Sequence, residues 1–380
     1  MKKSVSFVAI LCINFLIYGF NTLFGSLLPP YFTARFTPTV AGVLLSFGPI
    51  VAIFSPMLWG VVSDRAANKN RVMMLLVAGA TLFFLLISTT LSIPLLAVYL
   101  IMTMFFMAPF GGLVDLLTLN ACEQVQKPYG PCRVLGTLGF GMVALFGDLL
   151  MAGDDRRLFP LAVAVGGLSL LSLVLMPQHT AATQSKRSFG GFADYFKNKT
   201  LLLLTLIIGV AQFTWAYYSN FCAQYLTDTL NAPDGIWGTV VLFTVLSEIP
   251  FFFLFKKIFE KFSIYARVAV SCLIMALRWL AFGLVENLIL LLIITAVTGT
   301  FVTVLTYCIT VYIKEKIAPE LQATTLNLLY ALGMGVSKTL AGFVGGILTE
   351  HLGFVVSILI CSGLMFVMFL LSVKNKKALQ

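Results

Sequence analysis

The sequence is poor in charged residues, in histidine and in paired cysteines, and each shortage excludes a class of protein. Only 11% of the 380 residues are charged and 59% are hydrophobic, whereas a soluble domain carries roughly a quarter charged residues. The two histidines fall in predicted loops and the seven cysteines are scattered without a CxxC pair, so we expect no metal site and no cofactor. No P-loop and no nucleophile–base set is recognisable, which argues against an enzyme.

Long, continuous apolar runs take the place of these missing features. A helix needs roughly 20 apolar residues to cross a bilayer, and only helices and closed barrels satisfy their backbone in lipid. The runs predict an all-α membrane protein with twelve transmembrane helices. The predicted spans are 5–33, 38–62, 72–91, 94–122, 133–152, 158–176, 200–225, 236–255, 267–285, 288–313, 322–348 and 353–373.

The basic residues indicate the orientation of these spans. With the N-terminus inside, twenty of the 25 Lys and Arg residues fall on the inner side, as the positive-inside rule requires. The outer side keeps Arg35, Arg156 and Arg157. We therefore predict a multi-pass protein of a bacterial cytoplasmic membrane with both termini cytoplasmic. The net charge of +10 is explained by topology, and no nucleic-acid partner is predicted.

The longest polar segment, 177–199, divides the chain. It predicts an N-terminal six-helix bundle over 1–176, a cytoplasmic central loop over 177–199 and a C-terminal six-helix bundle over 200–380. The loop after the second span carries Asp64-Arg65, and the loop after the eighth carries Glu260-Lys261. Paired six-helix repeats are a transporter architecture, with the substrate site between the halves.

The first of these loops carries a family resemblance. Gly60-Val-Val-Ser-Asp64-Arg65, followed by Lys69 and Arg71, resembles the G-x-x-x-D-R-x-G-R-R loop of the major facilitator superfamily, although the second glycine is absent and the last basic pair is displaced. The resemblance covers the whole chain. It implies that Asp64 and Arg65 take part in gating between conformations; the alternative is a solvated turn that only sets topology.

A second motif resembles one branch of that superfamily. YGPCRVLGTLGF at 129–140 is similar to the signature shared by lactose permease, nucleoside–proton symporters and phenylpropionate permease. The branch places an acid eighteen residues before its arginine, which matches Asp115 and Arg133, and it places a Glu on helix eight and an Arg on helix nine, which match Glu248 and Arg278. AYY at 216–218 and RW at 278–279 look closest to the phenylpropionate permeases.

Charged residues far from the span ends are candidate functional residues, because a charge at the bilayer centre is costly and marks a pathway by default. Glu248 and Arg278 lie at matching depth on sequential spans, so we expect them to pair. Asp115 and Arg133 form a second expected pair, unless Arg133 only reaches the inner interface. Lys338 lies deep in the eleventh span, where the alternatives are that it binds an anionic group, pairs with an acid of the cavity or serves a structural role. Together these charges leave a surplus of +1, which favours an anionic substrate.

Aromatic and amide residues complete the predicted substrate site. Asn14 and Tyr18 lie four residues apart on the first span, which places them on one helical face. The seventh span contributes three aromatic side chains, Trp215, Tyr217 and Tyr218. Small-molecule sites combine such aromatic surfaces with a few polar anchors. Ordinary helix packing is the alternative for each of these residues.

These observations predict a monomeric secondary transporter that moves a small organic solute by alternating access, most simply as a proton symporter. The tenth span has no acid and no histidine, so the coupling scheme of lactose permease does not transfer whole. Glu248 or Asp115 is the predicted proton carrier. The substrate class stays open among aromatic carboxylates, sugars and nucleosides. A drug–proton antiporter of the same fold is the alternative function, and a non-transporting sensor is a third.

Overall fold

The computed structural model describes residues 2–176, 192–258, 261–299, 301–317 and 319–375. Helices dominate this part of the chain, and it contains no strand. A short helix, Phe192–Lys197, precedes the seventh long helix. The long helices are α1 Phe7–Thr33, α2 Pro38–Arg65, α3 Lys69–Ile87, α4 Ile93–Val125, α5 Gly130–Met151, α6 Asp155–Leu175, α7 Lys199–Thr229, α8 Ile236–Ile258, α9 Ile264–Leu284, α10 with Leu288–Thr298 and Phe301–Lys316, α11 over 325–352 and α12 over 354–374.

The predicted all-α membrane fold is confirmed. Ten of the described helices are long and apolar enough to cross a membrane. One of them, Thr325–Lys374, contains two predicted spans that meet at Gly353, whose φ of 76° and ψ of 167° are not helical. A residue with a side chain rarely adopts such a φ, which explains the glycine at the break. Helix α8 supplies the remaining span.

Three of the long helices contain a π-helical turn, and one of these turns, Tyr225–Thr229, ends α7. Leu23–Leu27 in α1 is immediately followed by Leu28 and the Pro29-Pro30 pair. Each proline lacks a backbone N–H, so the regular hydrogen-bond ladder is interrupted there. Tyr330–Val336 in α11 contains two glycines and ends just before Lys338. Such turns are frequent at functional sites, and this one directly precedes the helical segment that begins at Ser337 and contains Lys338.

The described helices group into two compact units. The first unit comprises Met1–Arg35, Phe47–Ser185 and Ala232–Val245. Within it, α1 packs against α4, α5 and α6, and the beginning of α8 packs against α5. The Asp148 carboxylate accepts a hydrogen bond from the Gly238 backbone N–H at 2.7 Å, and the Trp237 indole donates to the Ser26 carbonyl at 2.8 Å. An acid at a helix N-terminus satisfies free N–H groups and the helix dipole.

The second unit comprises Phe36–Ser46, Lys186–Asn231 and Leu246–Gln380. Within it, α11 and α12 pack against α7 and α9. The beginning of α2 lies so close to α11 that a Cβ on Gly42 would sit 2.2 Å from the Gly342 carbonyl oxygen. Ser46 donates a hydrogen bond to the Thr339 carbonyl at 3.0 Å. Small residues permit this close backbone approach. The predicted boundary at 177–199 stays a prediction, because most of that loop and Glu260 lie outside the described residues.

Candidate functional site

A polar cluster in the first unit brings together four side chains from α1, α4 and the start of α5. The Asp115 carboxylate accepts hydrogen bonds from the Tyr18 hydroxyl at 3.1 Å and the Tyr129 hydroxyl at 2.9 Å. The Arg133 guanidinium lies 3.8 Å from the same carboxylate, donates to the Tyr18 hydroxyl and stacks 4.6 Å from the centre of the Tyr18 ring. The structure therefore joins Asp115 and Arg133 as the sequence predicts.

This cluster is internally satisfied and partly open to its surroundings. The side chains of Arg133 and Asp115 are 49% and 36% exposed. Burial, and then the hydrogen bond to Asp115, raise the pKa of Tyr129 to about 12, so its hydroxyl stays a donor at neutral pH. One helical turn away, Asn14 donates to the Thr118 hydroxyl at 2.8 Å and is fully buried. Asn14 thus joins α1 to α4 by a buried hydrogen bond.

The second unit contains a cavity of about 410 Å³. This volume lies within the range of small-molecule sites. Helix α7 contributes one amide and one indole, α8 a carboxylate, α11 an ammonium group, and α10 the largest share of the wall. The lining residues are Gln212, Trp215, Glu248, Gly299, Val302, Thr303, Thr306, Tyr307, Thr310 and Lys338.

Helical spacing explains why these residues meet. With 3.6 residues per turn, positions three or four apart share a face. The α10 wall, defined as Thr303, Thr306 and Thr310, follows this spacing and continues it from Gly299. Gln212 and Trp215 are three apart on α7. The α10 wall was not predicted from the sequence, because only acids and histidines were considered in that span. The regular spacing of three threonine hydroxyls in an apolar run was the signal that could have identified it.

The two charged groups of the cavity are held differently. The Glu248 carboxylate accepts a hydrogen bond from the Thr303 hydroxyl at 2.8 Å. Lys338, in contrast, makes no hydrogen bond or ion pair with any residue in the described ranges. Because the lining charges are one carboxylate and one ammonium group, they balance. The sequence predicts a surplus of one positive charge, but the described lining of this cavity carries no net charge.

The expected Glu248–Arg278 pair is also wrong. Arg278 does not line the cavity, although its guanidinium contacts the ring of Trp215, which does. It is 2% exposed, and its Nε and Nη2 atoms make no hydrogen bond within the described chain. Its carbon lies 5.1–5.8 Å from four aromatic ring centres, those of Trp215, Tyr218, Trp279 and Phe282.

Two of the three predicted α7 aromatics lie elsewhere than the cavity wall. Tyr217 is buried, stacks on Phe354 with 5.7 Å between ring centres and hydrogen-bonds Thr349 at 3.0 Å. Tyr218 belongs to the aromatic group around Arg278. At about 100° per residue, Tyr217 lies on the opposite side of α7 from Trp215, whereas Tyr218 lies about 60° from Trp215, on the side away from Gln212. Only Trp215 of the three lines the cavity.

The predicted gating residues end α2. Asp64 is half-buried and Arg65 is exposed in the last helical turn, where a cation is favourable beside the C-terminal end of the helix dipole. The following helix, α3, begins after Asn68, whose side chain accepts from the backbone N–H groups of Asn70 and Arg71. Neither Asp64 nor Arg65 forms an ion pair with another described residue.

Comparisons with known proteins give a consistent result. The sequence profile described as the MFS_1 like family matches residues 10–359. The maltose permease of Geobacillus stearothermophilus is 26% identical over 346 residues, which cover 88% of this chain and 85% of the permease. The nucleoside permease NupG of Escherichia coli is 23% identical over 361 residues, covering 89% of this chain and 86% of the permease.

A crystal structure of the nucleoside transporter NupG superposes with a TM-score of 0.86 at 17% identity, covering 97% of this chain and 98% of that one. At this identity the likeness concerns the fold alone. The family match, in contrast, spans nearly the whole sequence. The chain therefore belongs to the MFS_1 like family of the major facilitator superfamily, and it is a multi-pass membrane transporter of small solutes.

Proposed function

We propose that the protein is a proton-coupled symporter that carries a small neutral solute of the nucleoside or sugar class by alternating access. We place it in a bacterial inner membrane, as a monomer, with both termini in the cytoplasm. The observation that carries the proposal is the cavity of the second unit, in which Trp215, Gln212 and the α10 wall stand beside one carboxylate and one ammonium group. The named relatives, a maltose permease and a nucleoside permease, agree with this class.

The lining chemistry supports a polar, uncharged solute. The indole of Trp215 offers a flat apolar face, on which a base or the apolar face of a sugar ring can rest. Hydroxyl, amide and charged groups surround that face. Because the carboxylate and the ammonium group of the cavity compensate each other, an anionic solute would bring an uncompensated charge into a poorly solvated site, which is unfavourable.

Glu248 is the proposed proton carrier. It lines the cavity, and its carboxylate accepts a hydrogen bond from Thr303. When protonated, the same group becomes a donor, so its protonation changes what the cavity offers to a solute. Asp115 is the second candidate, but the nearby Arg133 guanidinium favours its charged form. Asp64 and Arg65 remain proposed gating residues at the end of α2.

The test is uptake of labelled uridine and maltose into proteoliposomes under an inward proton gradient. Wild-type protein accumulates one of the two solutes above equilibrium. Glu248→Gln loses gradient-driven accumulation but retains exchange of solute at equal pH on both sides, because only the proton step is removed. Glu286→Gln, at an exposed loop position, serves as the matched control and behaves as wild type.

Two outcomes would contradict the proposal. Uptake that ignores the proton gradient would exclude proton coupling. Gradient-driven expulsion of an apolar cationic dye, without uptake of either solute, would establish the drug–proton antiporter instead.

A further inference from the structure

All three threonine hydroxyls of the α10 wall already donate their protons in hydrogen bonds within the protein. Thr306 donates to the Val302 carbonyl at 3.0 Å and Thr310 donates to the Thr306 carbonyl at 2.9 Å. Thr303 donates to the Glu248 carboxylate at 2.8 Å. A threonine hydroxyl has a single proton and two acceptor lone pairs. Each of the three hydroxyls can therefore offer only acceptor lone pairs to a solute without giving up its present bond.

Glu248 strengthens this character, because an ionised carboxylate only accepts hydrogen bonds. The α10 wall and Glu248 thus form a continuous acceptor surface along one side of the cavity. Lys338 is the opposite case, since an ammonium group only donates, and it makes no hydrogen bond or ion pair with another described residue. The cavity consequently has one long acceptor side, and Lys338 is its cationic donor beside the neutral donor groups of Gln212, Trp215 and Tyr307.

We propose that the α10 wall determines substrate specificity by recognising hydrogen-bond donors, so that the substrate is a neutral solute with a row of hydroxyl groups along one edge and an acceptor for Lys338. This inference rests on the proposed function and narrows it. A carboxylate solute such as 3-phenylpropionate brings acceptors alone. Placed against this wall it would either leave its oxygens unpaired or break the threonine–backbone bonds, and both are unfavourable.

The ribose of a nucleoside has the required pattern. Its hydroxyls are donors on one edge, and the carbonyl groups of a pyrimidine base are acceptors at the other end. Uridine and 2′,3′-dideoxyuridine differ only in two of these donors. A site built to hydrogen-bond a hydroxyl discriminates strongly against the analogue that lacks it, and a single ordinary hydrogen bond corresponds to about tenfold in affinity.

The experiment measures binding of uridine, maltose, 2′,3′-dideoxyuridine and 3-phenylpropionate to purified protein by calorimetry. We expect uridine or maltose to bind, and 2′,3′-dideoxyuridine and 3-phenylpropionate to bind at least about tenfold more weakly than the better of those two. Thr306→Val and Thr310→Val preserve side-chain shape and remove one acceptor each. Each is expected to weaken the hydroxylated probe about tenfold and to leave 2′,3′-dideoxyuridine nearly unchanged.

Two further variants keep the result interpretable. Thr298→Val alters a threonine that also donates to its own helix, at the Ile294 carbonyl, but that does not line the cavity; it is expected to bind all probes as wild type does. Thr306→Ser restores the hydroxyl and is expected to recover affinity. Unchanged melting temperatures would show that each variant is folded.

The inference is overturned if 3-phenylpropionate binds as tightly as the hydroxylated probes, if the valine variants leave affinity unchanged, or if none of the probes binds. Failure of the proposed function is a separate result. In that case the hydroxylated probe binds and responds to the valine variants, but no proton gradient drives its accumulation in proteoliposomes.

Discussion

The two units differ in how many partners the protein provides for their buried and half-buried charged side chains. In the first unit, the side chains of Asp115 and Arg133 lie 3.8 Å apart, and two tyrosine hydroxyls donate hydrogen bonds to the Asp115 carboxylate. In the second unit, Lys338 faces the cavity without a described partner, and the guanidinium of Arg278 is surrounded by aromatic rings. The charges of the first unit are satisfied by the protein itself, whereas Lys338 of the second unit has no hydrogen-bond or ion-pair partner among the described residues.

A charge that the protein itself satisfies can be explained by structure, whereas an unpaired charge calls for a functional explanation. An unpaired ion in a poorly solvated environment costs several kcal/mol by burial alone. A protein retains such a group where a ligand, a proton or a second conformation uses it. The comparison therefore predicts that neutralising a charge in the second unit impairs transport without loss of stability, and that neutralising the pair of the first unit mainly affects local structure.

The largest expected effect is that of Lys338→Met. Methionine keeps the length of the side chain and removes the cationic donor of the cavity, leaving the Glu248 carboxylate as the one described lining charge. A charge-assisted hydrogen bond contributes about 1.5–3 kcal/mol, so binding of the transported solute is expected to weaken by roughly 10- to 150-fold. Calorimetric titration of the variant measures this, with melting temperature recorded in parallel.

Lys374→Met is the matched control, because Lys374 is exposed at the end of α12. It is expected to bind solute as wild type does. If Lys338→Met binds normally but melts at a lower temperature, Lys338 is a structural residue and the contrast between the two units fails.

The second prediction concerns Arg278→Met. Replacing a buried charge by an apolar side chain of similar volume is often neutral or stabilising by about 1–4 kcal/mol, and a thioether packs well against aromatic rings. We expect the melting temperature to rise by about 2–4 °C per kcal/mol gained, while transport falls. A lower melting temperature would show instead that the four aromatic rings stabilise the cation more than burial destabilises it.

The fold was predictable in detail, because span length and loop charge are properties of composition along the chain. The matching depth of Glu248 and Arg278, derived from 1.5 Å per residue, stays a prediction. Their pairing was not predictable, because equal depth on two helices does not determine which way each side chain faces. That direction is set by how the helices pack against one another.

Helical spacing would have improved the predicted site. Trp215 and Tyr218 are three residues apart and their rings lie 5.8 Å apart, yet Tyr218 faces Arg278 whereas Gln212, on the other side of Trp215, faces the cavity. The threonines of α10 share one face by the same rule. A search of each span for polar residues of every kind, at spacings of three and four, would have identified the α10 wall.

The smallest expected effect tests the satisfied pair of the first unit through Asp115→Asn. The amide oxygen still accepts the hydrogen bonds of Tyr18 and Tyr129, so only the ion pair with Arg133 is lost. With these side chains 36% and 49% exposed, solvent screening limits that pair to at most about 1 kcal/mol. We expect a decrease in melting temperature of no more than about 4 °C. Asp115→Leu, which also removes the acceptor for both tyrosines, is expected to lower it further. A transport defect in Asp115→Asn as severe as that of Lys338→Met, at unchanged melting temperature, would place the first-unit cluster in the transport pathway, because a locally satisfied pair has no other route to so large an effect.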